Sequence, residues 1–175
     1  MNDFLPTDEA TIAVLRERAR RLAEKTDDDG MGTDSVEVVI FALGVERYAF
    51  ETKFVRESSP LKTLTPLPGV PAFIAGIANL RSEIVSVVNL AAVLNVSAEK
   101  PARSFVLYLQ DKAMAFGVMV DAVAGVRDIS LADLHTCGAS FSAIPQRYLR
   151  GLTTDGVAVL DAHAMLSDER LVVRN

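Results

Sequence analysis

Hydrophobic and polar positions follow two different periods along the chain, one before residue 26 and another after residue 35. In residues 8–25 apolar positions recur at helical spacing, which predicts one amphipathic helix. They are Ile12, Leu15, Ala19 and Leu22. The run DDDGMGTD at 27–34 then brings like charges and two glycines, which is typical of a linker. We therefore expect a helix with an acidic linker in residues 1–34 and a main domain in residues 35–175.

From Val36 onward, short apolar segments alternate with turn residues, which predicts a β-rich domain of about ten strands in two groups. The segments lie at 36–43, 48–50, 76–80, 84–88, 105–109, 113–120, 123–126, 148–152 and 157–160. Helical turns are expected only at 89–96 and 162–166. The segment 60–71 holds four prolines and a glycine, so we expect a stiff surface connection there and no regular strand. Many short strands with few helices favour two small barrels or a sandwich.

The densest apolar pattern is GIANLRSEIVSVVNL at 76–90, which predicts two strands joined by a tight turn at Arg81 and Ser82. Apolar residues alternate onto both faces of the second strand, Ile84 on one and Val85 on the other. We therefore expect both faces to be covered. The polar groups at the tip are Asn79, Arg81 and Glu83. A rigid hairpin with a polar tip suits recognition of another molecule.

Composition and charge narrow the class of function. Half of the 175 residues are apolar, yet no run approaches the roughly 20 apolar residues of a membrane helix, so we expect a soluble globular protein without membrane insertion. The first residues carry no secretion signal, and the single cysteine is consistent with the cytoplasm. Net charge is -5, with nine acidic and five basic residues in positions 1–35. A nearly neutral main domain argues against nucleic acid as a partner and favours proteins.

Motifs for catalysis and for metal or cofactor binding are weak or missing from the sequence. It contains no phosphate loop and no GxSxG nucleophile elbow. His135 and Cys137 lie two residues apart, so a nucleophile with its base, or two metal ligands, is one alternative. A metal site would need further ligands, and His163 is the only other histidine. We therefore predict no catalytic residues, metal or cofactor, and keep a small Cys/His hydrolase as the alternative from another class.

Several segments together resemble the CheW family of chemotaxis coupling proteins in their order and spacing. The most specific is PAFIAGIANLRSEIVSVVNL at 71–90, and GVMVDAVAGV at 117–126 supports it. Further matches are VIFALGVERYAF, FVRE, YLRGL and VAVLDAHAML. The resemblance covers 36 to about 173, and it implies two SH3-like five-stranded barrels that share a hydrophobic core.

The resemblance also implies a function and a site. Members of the family are non-catalytic adaptors that connect the cytoplasmic tips of chemoreceptors to a CheA-type histidine kinase, and other CheW-like domains are a further class of partner. We therefore expect a cytoplasmic protein recruited to receptor arrays. The family's contact positions, with the adjoining turn residue, correspond to Val55, Glu57, Gly76, Asn79, Arg81 and Ser82. Glu57 and Arg81 occupy positions that form an ion pair in the family.

The hairpin departs from the family pattern NLRGxIxPVxDL at three positions, where Ser82, Ser86 and Asn89 replace glycine, proline and aspartate. If the turn needs a positive φ at Ser82, serine costs on the order of 1 kcal/mol there. Asn89 removes a charge and keeps the ability to cap a helix. Because these changes fall on the expected contact surface, a divergent adaptor that binds only one of the two partners is the alternative within the family.

Overall fold

The computed structural model describes residues 34–97, 104–136 and 144–171. Within these ranges lie ten strands and two short α-helices. The strands are β1 Ser35–Leu43, β2 Glu46–Glu51, β3 Val55–Pro60, β4 Ile74–Leu80, β5 Glu83–Asn89, β6 Phe105–Gln110, β7 Ala115–Val120, β8 Ala122–Ser130, β9 Leu149–Leu152 and β10 Val157–Leu160. The helices are α1 Leu90–Leu94 and α2 Ala162–Leu166. The predicted N-terminal helix and Cys137 lie outside the described residues, so the division at residue 34 stays a prediction.

The strands form two five-stranded sheets. Sheet one has the order β8-β1-β2-β10-β9, and sheet two has the order β3-β6-β7-β5-β4. Sheet two is therefore a continuous stretch of chain placed between β2 and β8. Each sheet contains one parallel contact, β2 with β10 and β5 with β7, and its other contacts are antiparallel. The predicted fold class, mainly β with two five-stranded SH3-like units, is confirmed.

Alternation along the strands divides the buried side chains among three clusters. Val38 and Ile40 point into a cluster that belongs to sheet one, whereas Phe41, on the opposite face of β1, joins a larger central cluster. In the same way Val106 lies inside sheet two and Leu107 faces the central cluster. Because the central cluster takes residues from both sheets and both helices, the predicted shared core is present.

Each α-helix follows a strand closely. The capping residue is the last residue of β5 for α1 and the residue after β10 for α2. Asn89 ends β5, and its Oδ1 accepts a hydrogen bond from Ala92 N at 3.3 Å. Asp161 follows β10, and its Oδ1 accepts one from Ala164 N at 2.8 Å. A side-chain oxygen at this position satisfies a backbone donor that the first helical turn leaves unpaired. The capping role expected for Asn89 is confirmed.

The last described segment is held to the domain by Asp168. Its carboxylate accepts hydrogen bonds from the Tyr148 hydroxyl at 2.5 Å and from Arg170 Nη2 at 2.6 Å. The hydrogen bonds from Arg170 are the first cause that holds the pKa of Asp168 well below its usual range. Burial raises the pKa of Tyr148, so its hydroxyl stays protonated and continues to donate. Leu171 then packs into the central cluster.

Three features differ from the sequence prediction. The strand β3 was not predicted, because its sequence VRESSP has only one large apolar residue. The strand β8 runs for nine residues instead of the four expected at 123–126. Ile84 is 74% exposed, although Val85, Val87 and Val88 are buried. The expected burial of both faces of β5 is therefore found only from Val85 onward.

No helix within the described ranges has the length and hydropathy needed to cross a bilayer.

Candidate protein-interaction site

The tip of the β4–β5 hairpin is a two-residue turn with a left-handed backbone. Leu80 pairs with Glu83, and between them Arg81 and Ser82 have φ values of 48° and 72°. Two consecutive positive φ values are typical of the hairpin turns whose twist matches that of the strands. The Oδ1 atom of Asn79 accepts a hydrogen bond from Ser82 N at 2.9 Å. The backbone therefore places Arg81 at the outermost point of a turn that a side chain braces.

Glu57 of β3 and Arg81 of the turn form an ion pair. Arg81 Nε lies 2.7 Å from Glu57 Oε2. The Glu57 side chain is only 16% exposed, whereas the Arg81 side chain is 85% exposed. Glu57 is therefore a fixed carboxylate that orients a guanidinium projecting into solvent. The pairing expected from the resemblance is present, and its arrangement leaves Arg81 accessible to a partner.

A second ion pair lies beside the first with its charges in the opposite order. Arg56 Nη1 is 3.2 Å from Glu83 Oε2, where Arg56 precedes Glu57 on β3 and Glu83 begins β5. Arg56 also lies over the ring of Tyr108, with its guanidinium carbon 5.3 Å from the ring centroid. Its Nη1 atom donates a hydrogen bond to Gln110 Oε1 at 3.4 Å. Two neighbouring residues of β3, one basic and one acidic, thus hold the two sides of the hairpin tip.

The two ion pairs cross the open side of sheet two. Its outermost strands are β3 and β4, and no β-ladder joins them within the described residues. A groove of about 420 Å³ lies between them, lined by residues 57–63 and 78–81. At the far end, Thr65 and Ile77 exchange two backbone hydrogen bonds of 2.8 Å. The groove is therefore closed by backbone pairing at one end and by side-chain pairing at the hairpin tip.

Gly76 differs from the other candidate residues because it is buried. Its φ is 144°, and a Cβ atom added there would lie 2.2 Å from the carbonyl oxygen of Thr65. Glycine is thus required where the connection after β3 crosses β4. This position supports the shape of the groove from below. Any contribution of Gly76 to partner binding acts through that backbone approach.

The structure brings together most of the candidate residues, though not all of them. Glu57, Asn79, Arg81 and Ser82 surround the tip, and the last three are exposed. Val55 begins β3, is half-buried and packs against the central cluster. Sequence reasoning missed Arg56, whose only signal was its place beside Glu57. It placed Glu83 among the polar groups at the tip without a partner, and the structure pairs Glu83 with Arg56.

The alternative Cys/His site involves three residues, of which the structure describes His135 and His163. His135 is exposed and exchanges backbone hydrogen bonds with Leu152, and Cys137 lies outside the described residues. His163 stacks on Phe54, with ring centroids 6.1 Å apart, and its Nδ1 lies 3.7 Å from Asp111 Oδ2. Within the described ranges, no group of three or more His, Cys, Asp or Glu side chains is arranged to hold a metal ion.

Comparison with known proteins gives concordant results. The family model for the CheW-like domain matches residues 37–170. The chain is 29% identical to the chemotaxis protein CheW of Treponema pallidum over 148 residues, covering 79% of this chain and 86% of that protein. It is 31% identical to the chemotaxis protein CheW of Thermotoga maritima over 104 residues, covering 59% and 69%.

A solved structure extends the comparison to the fold. The scaffolding protein TtCheW from Thermoanaerobacter tengcongensis superimposes with a TM-score of 0.69 at 22% sequence identity. The match covers 84% of this chain and 92% of that one. At this level of identity the likeness concerns the arrangement of strands, which agrees with the two five-stranded sheets described above.

Proposed function

Because the chain belongs to the family of CheW-like domains, we propose that it is a non-catalytic adaptor in chemotaxis signalling. In this role it couples the cytoplasmic tips of chemoreceptors to a CheA-type histidine kinase, with other CheW-like domains as further partners. It acts in the cytoplasm at membrane-associated receptor arrays. The two relatives described above are chemotaxis proteins, and the similar solved structure is a scaffolding protein.

The observation that carries this proposal is the Glu57–Arg81 pair. Because the Arg81 side chain is exposed to solvent, the ion pair contributes only about 0–1 kcal/mol to stability, so it gains little for folding. Its geometry instead holds one end of Arg81 on a half-buried carboxylate and leaves the side chain 85% exposed. Arginine that is oriented before binding loses less conformational freedom when a partner meets it. We therefore propose that the hairpin tip meets a partner, with Val55 and Asn79 beside the contact, and we propose that this partner is the kinase.

The experiment that tests this assignment is the substitution Arg81→Ala. We expect the dissociation constant for a CheA-type kinase, measured by calorimetry, to rise about tenfold or more because an oriented arginine at an interface contributes above 1 kcal/mol. The free energy of unfolding should change by less than about 0.5 kcal/mol, as at other surface sites. Arg47→Ala is the matched control, because Arg47 is an exposed, paired arginine in sheet one.

Equal kinase affinity of the Arg81→Ala variant and the wild-type protein would remove the hairpin tip from the kinase site. Titration of the wild-type protein with kinase and with a receptor tip, each alone, decides between the two roles within the family. A coupling protein binds both, whereas an auxiliary or competing adaptor binds one. Ser82, which stands at the turn where the family pattern has glycine, is the feature that favours this second role.

A further inference from the structure

We infer that Arg56 and Glu83 form a positioning pair that sets the orientation of the hairpin tip for partner binding. The inference rests on the proposed function, because it concerns the same surface. It adds two residues that act through Arg81 and Glu57, not by contact with the partner. Its basis is where the pair lies in the sheet and how Arg56 is held.

The first argument is the place that the pair occupies. Strands β3 and β4 are the two edges of sheet two, and the described residues contain no ladder between them. The hairpin tip is therefore held to β3 by side chains. One ion pair alone would attach the tip to β3 at a single point. Two ion pairs, Arg56–Glu83 and Glu57–Arg81, attach the tip at two points and so define its orientation relative to β3.

The second argument is the order of the charges. On β3 the basic Arg56 precedes the acidic Glu57, and across the groove the acidic Glu83 and the basic Arg81 face them in the matching order. A tip shifted to exchange these contacts would place Arg56 against Arg81 and Glu57 against Glu83. Like charges repel at such distances, so the alternative arrangement is disfavoured. The four charges therefore select one arrangement of the tip.

The third argument is that Arg56 is itself held in place. The pairing of β3 with β6 shifts register between Val55 and Glu57, so Arg56 is the extra residue of a β-bulge. A bulge redirects the side chain that it carries. The redirected guanidinium lies over Tyr108 and reaches Gln110 as well as Glu83. Tyr108 is 7% exposed and belongs to the cluster inside sheet two, so the pair is fixed to the core.

Stability is a poor explanation for this pair. The side chains of Arg56 and Glu83 are 49% and 56% exposed, and ion pairs with such exposure add little to the free energy of unfolding. Positioning and stability therefore predict different results when the pair is broken. Loss of positioning changes the affinity for the partner and the protection of the tip's amides against hydrogen exchange. It leaves the melting temperature close to that of the wild-type protein.

The test uses the full chain in four forms: wild type, Arg56→Gln, Glu83→Gln and the double variant Arg56→Gln with Glu83→Gln. We expect each single variant to bind a CheA-type kinase about fivefold more weakly, within the range of coupling between contacting residues. The double variant should bind within about twofold of either single variant, because each single substitution already breaks the same ion pair. In the free proteins, amide hydrogen exchange at residues 79–83 should quicken by a similar factor in the two single variants and in the double variant.

Each outcome decides the inference. Unchanged affinity in the single variants overturns it, and so do losses that multiply in the double variant, because independent losses indicate that each side chain contacts the kinase directly. Arg47→Gln, which alters an exposed ion pair in sheet one, should bind as the wild type does. If the wild-type protein does not bind the kinase, the proposed function fails. Hydrogen exchange at residues 79–83 then still decides whether the pair fixes the tip.

Discussion

Single residues at the hairpin tip adopt backbone conformations that their side chains disfavour. Arg81 and Ser82 both have a positive φ, a region that costs most non-glycine residues about 1–2 kcal/mol. The hydrogen bond from Ser82 N to Asn79 Oδ1 compensates part of this cost. The positive φ on which the expected cost of serine depended is therefore present at Ser82.

Replacing Ser82 by glycine should stabilise the protein. Relief of the left-handed conformation is worth about 1–2 kcal/mol, whereas the more flexible unfolded chain takes back about 0.4–1 kcal/mol. We expect Ser82→Gly to raise the free energy of unfolding by about 0.5 kcal/mol, measured by urea denaturation. The bond to Asn79 persists, because its donor is the backbone nitrogen.

The matched control is Ser58→Gly, because Ser58 is an exposed serine within β3 and is not among the described residues with positive φ. Glycine within a strand costs about 0.5–1 kcal/mol, so this variant should be destabilised. Loss of stability in both variants would show that the backbone at Ser82 carries no strain that glycine can relieve.

The site was predictable from sequence only where its residues are neighbours or match a family motif. The turn at Arg81 and Ser82 followed from the local pattern, and the Glu57–Arg81 pair followed from the resemblance. The Arg56–Glu83 pair is 27 residues apart along the chain and depends on a bulge in β3. No periodicity encodes such a bulge, since it arises from the pairing of β3 with β6. Sequence alone therefore left Arg56 unassigned.

Elements of the chain were predicted well where apolar residues are dense. The strands β1, β6 and β10 were expected close to their observed bounds because their side chains alternate between two buried clusters. Strand β3 was missed because it is an edge strand whose serines and Pro60 carry little β-strand signal. Strand β8, the outer strand of sheet one, extends past its apolar segment because β1 offers it a backbone ladder as far as Ser130.

The two capped helices are the clearest repeated element. Each sheet contains one pair of parallel strands, and one strand of that pair, β5 or β10, leads through a capping residue into a five-residue helix. Both helices pack into the central cluster. Helices this short are unstable alone, so they depend on the cap and on their buried residues. Leu90 and Leu94 serve this purpose in α1, and Met165 and Leu166 in α2. The caps therefore hold apolar residues of the shared core in place.

Substitution of Asn89 tests the capping role. We expect Asn89→Ala to lower the free energy of unfolding by about 1 kcal/mol, measured by urea denaturation, because Ala92 N loses its acceptor. Asn89→Asp should be as stable as the wild-type protein or slightly more so, since a carboxylate accepts the same bond and favours a helix N-terminus. Asp161→Ala provides the matched loss in α2. A stable Asn89→Ala variant would assign the support of α1 entirely to packing.

At the scale of the whole molecule, the three clusters determine whether the sheets unfold separately. Among the described residues, the central cluster holds 22 buried residues and the two sheet-specific clusters hold six each. Unfolding sheet two alone would expose the sheet-one side of the central cluster, including Phe41, Tyr48 and Phe50. Burial of each such side chain is worth about 1.5–3 kcal/mol, so partial unfolding is disfavoured. We therefore expect the two sheets to unfold together, although each is a separate five-stranded sheet.

Val85→Ala tests this cooperativity, because Val85 belongs to the sheet-two cluster and not to the central one. Loss of two buried methyl groups should lower the free energy of unfolding by about 2 kcal/mol. If the sheets unfold together, the most protected amides of β1 and β10 in sheet one lose as much protection as those of β6, measured by native-state hydrogen exchange. Val126→Ala, at a residue 58% exposed, should leave protection unchanged. Loss confined to sheet two would instead show that sheet one keeps its structure without its neighbour, which the shared cluster argues against.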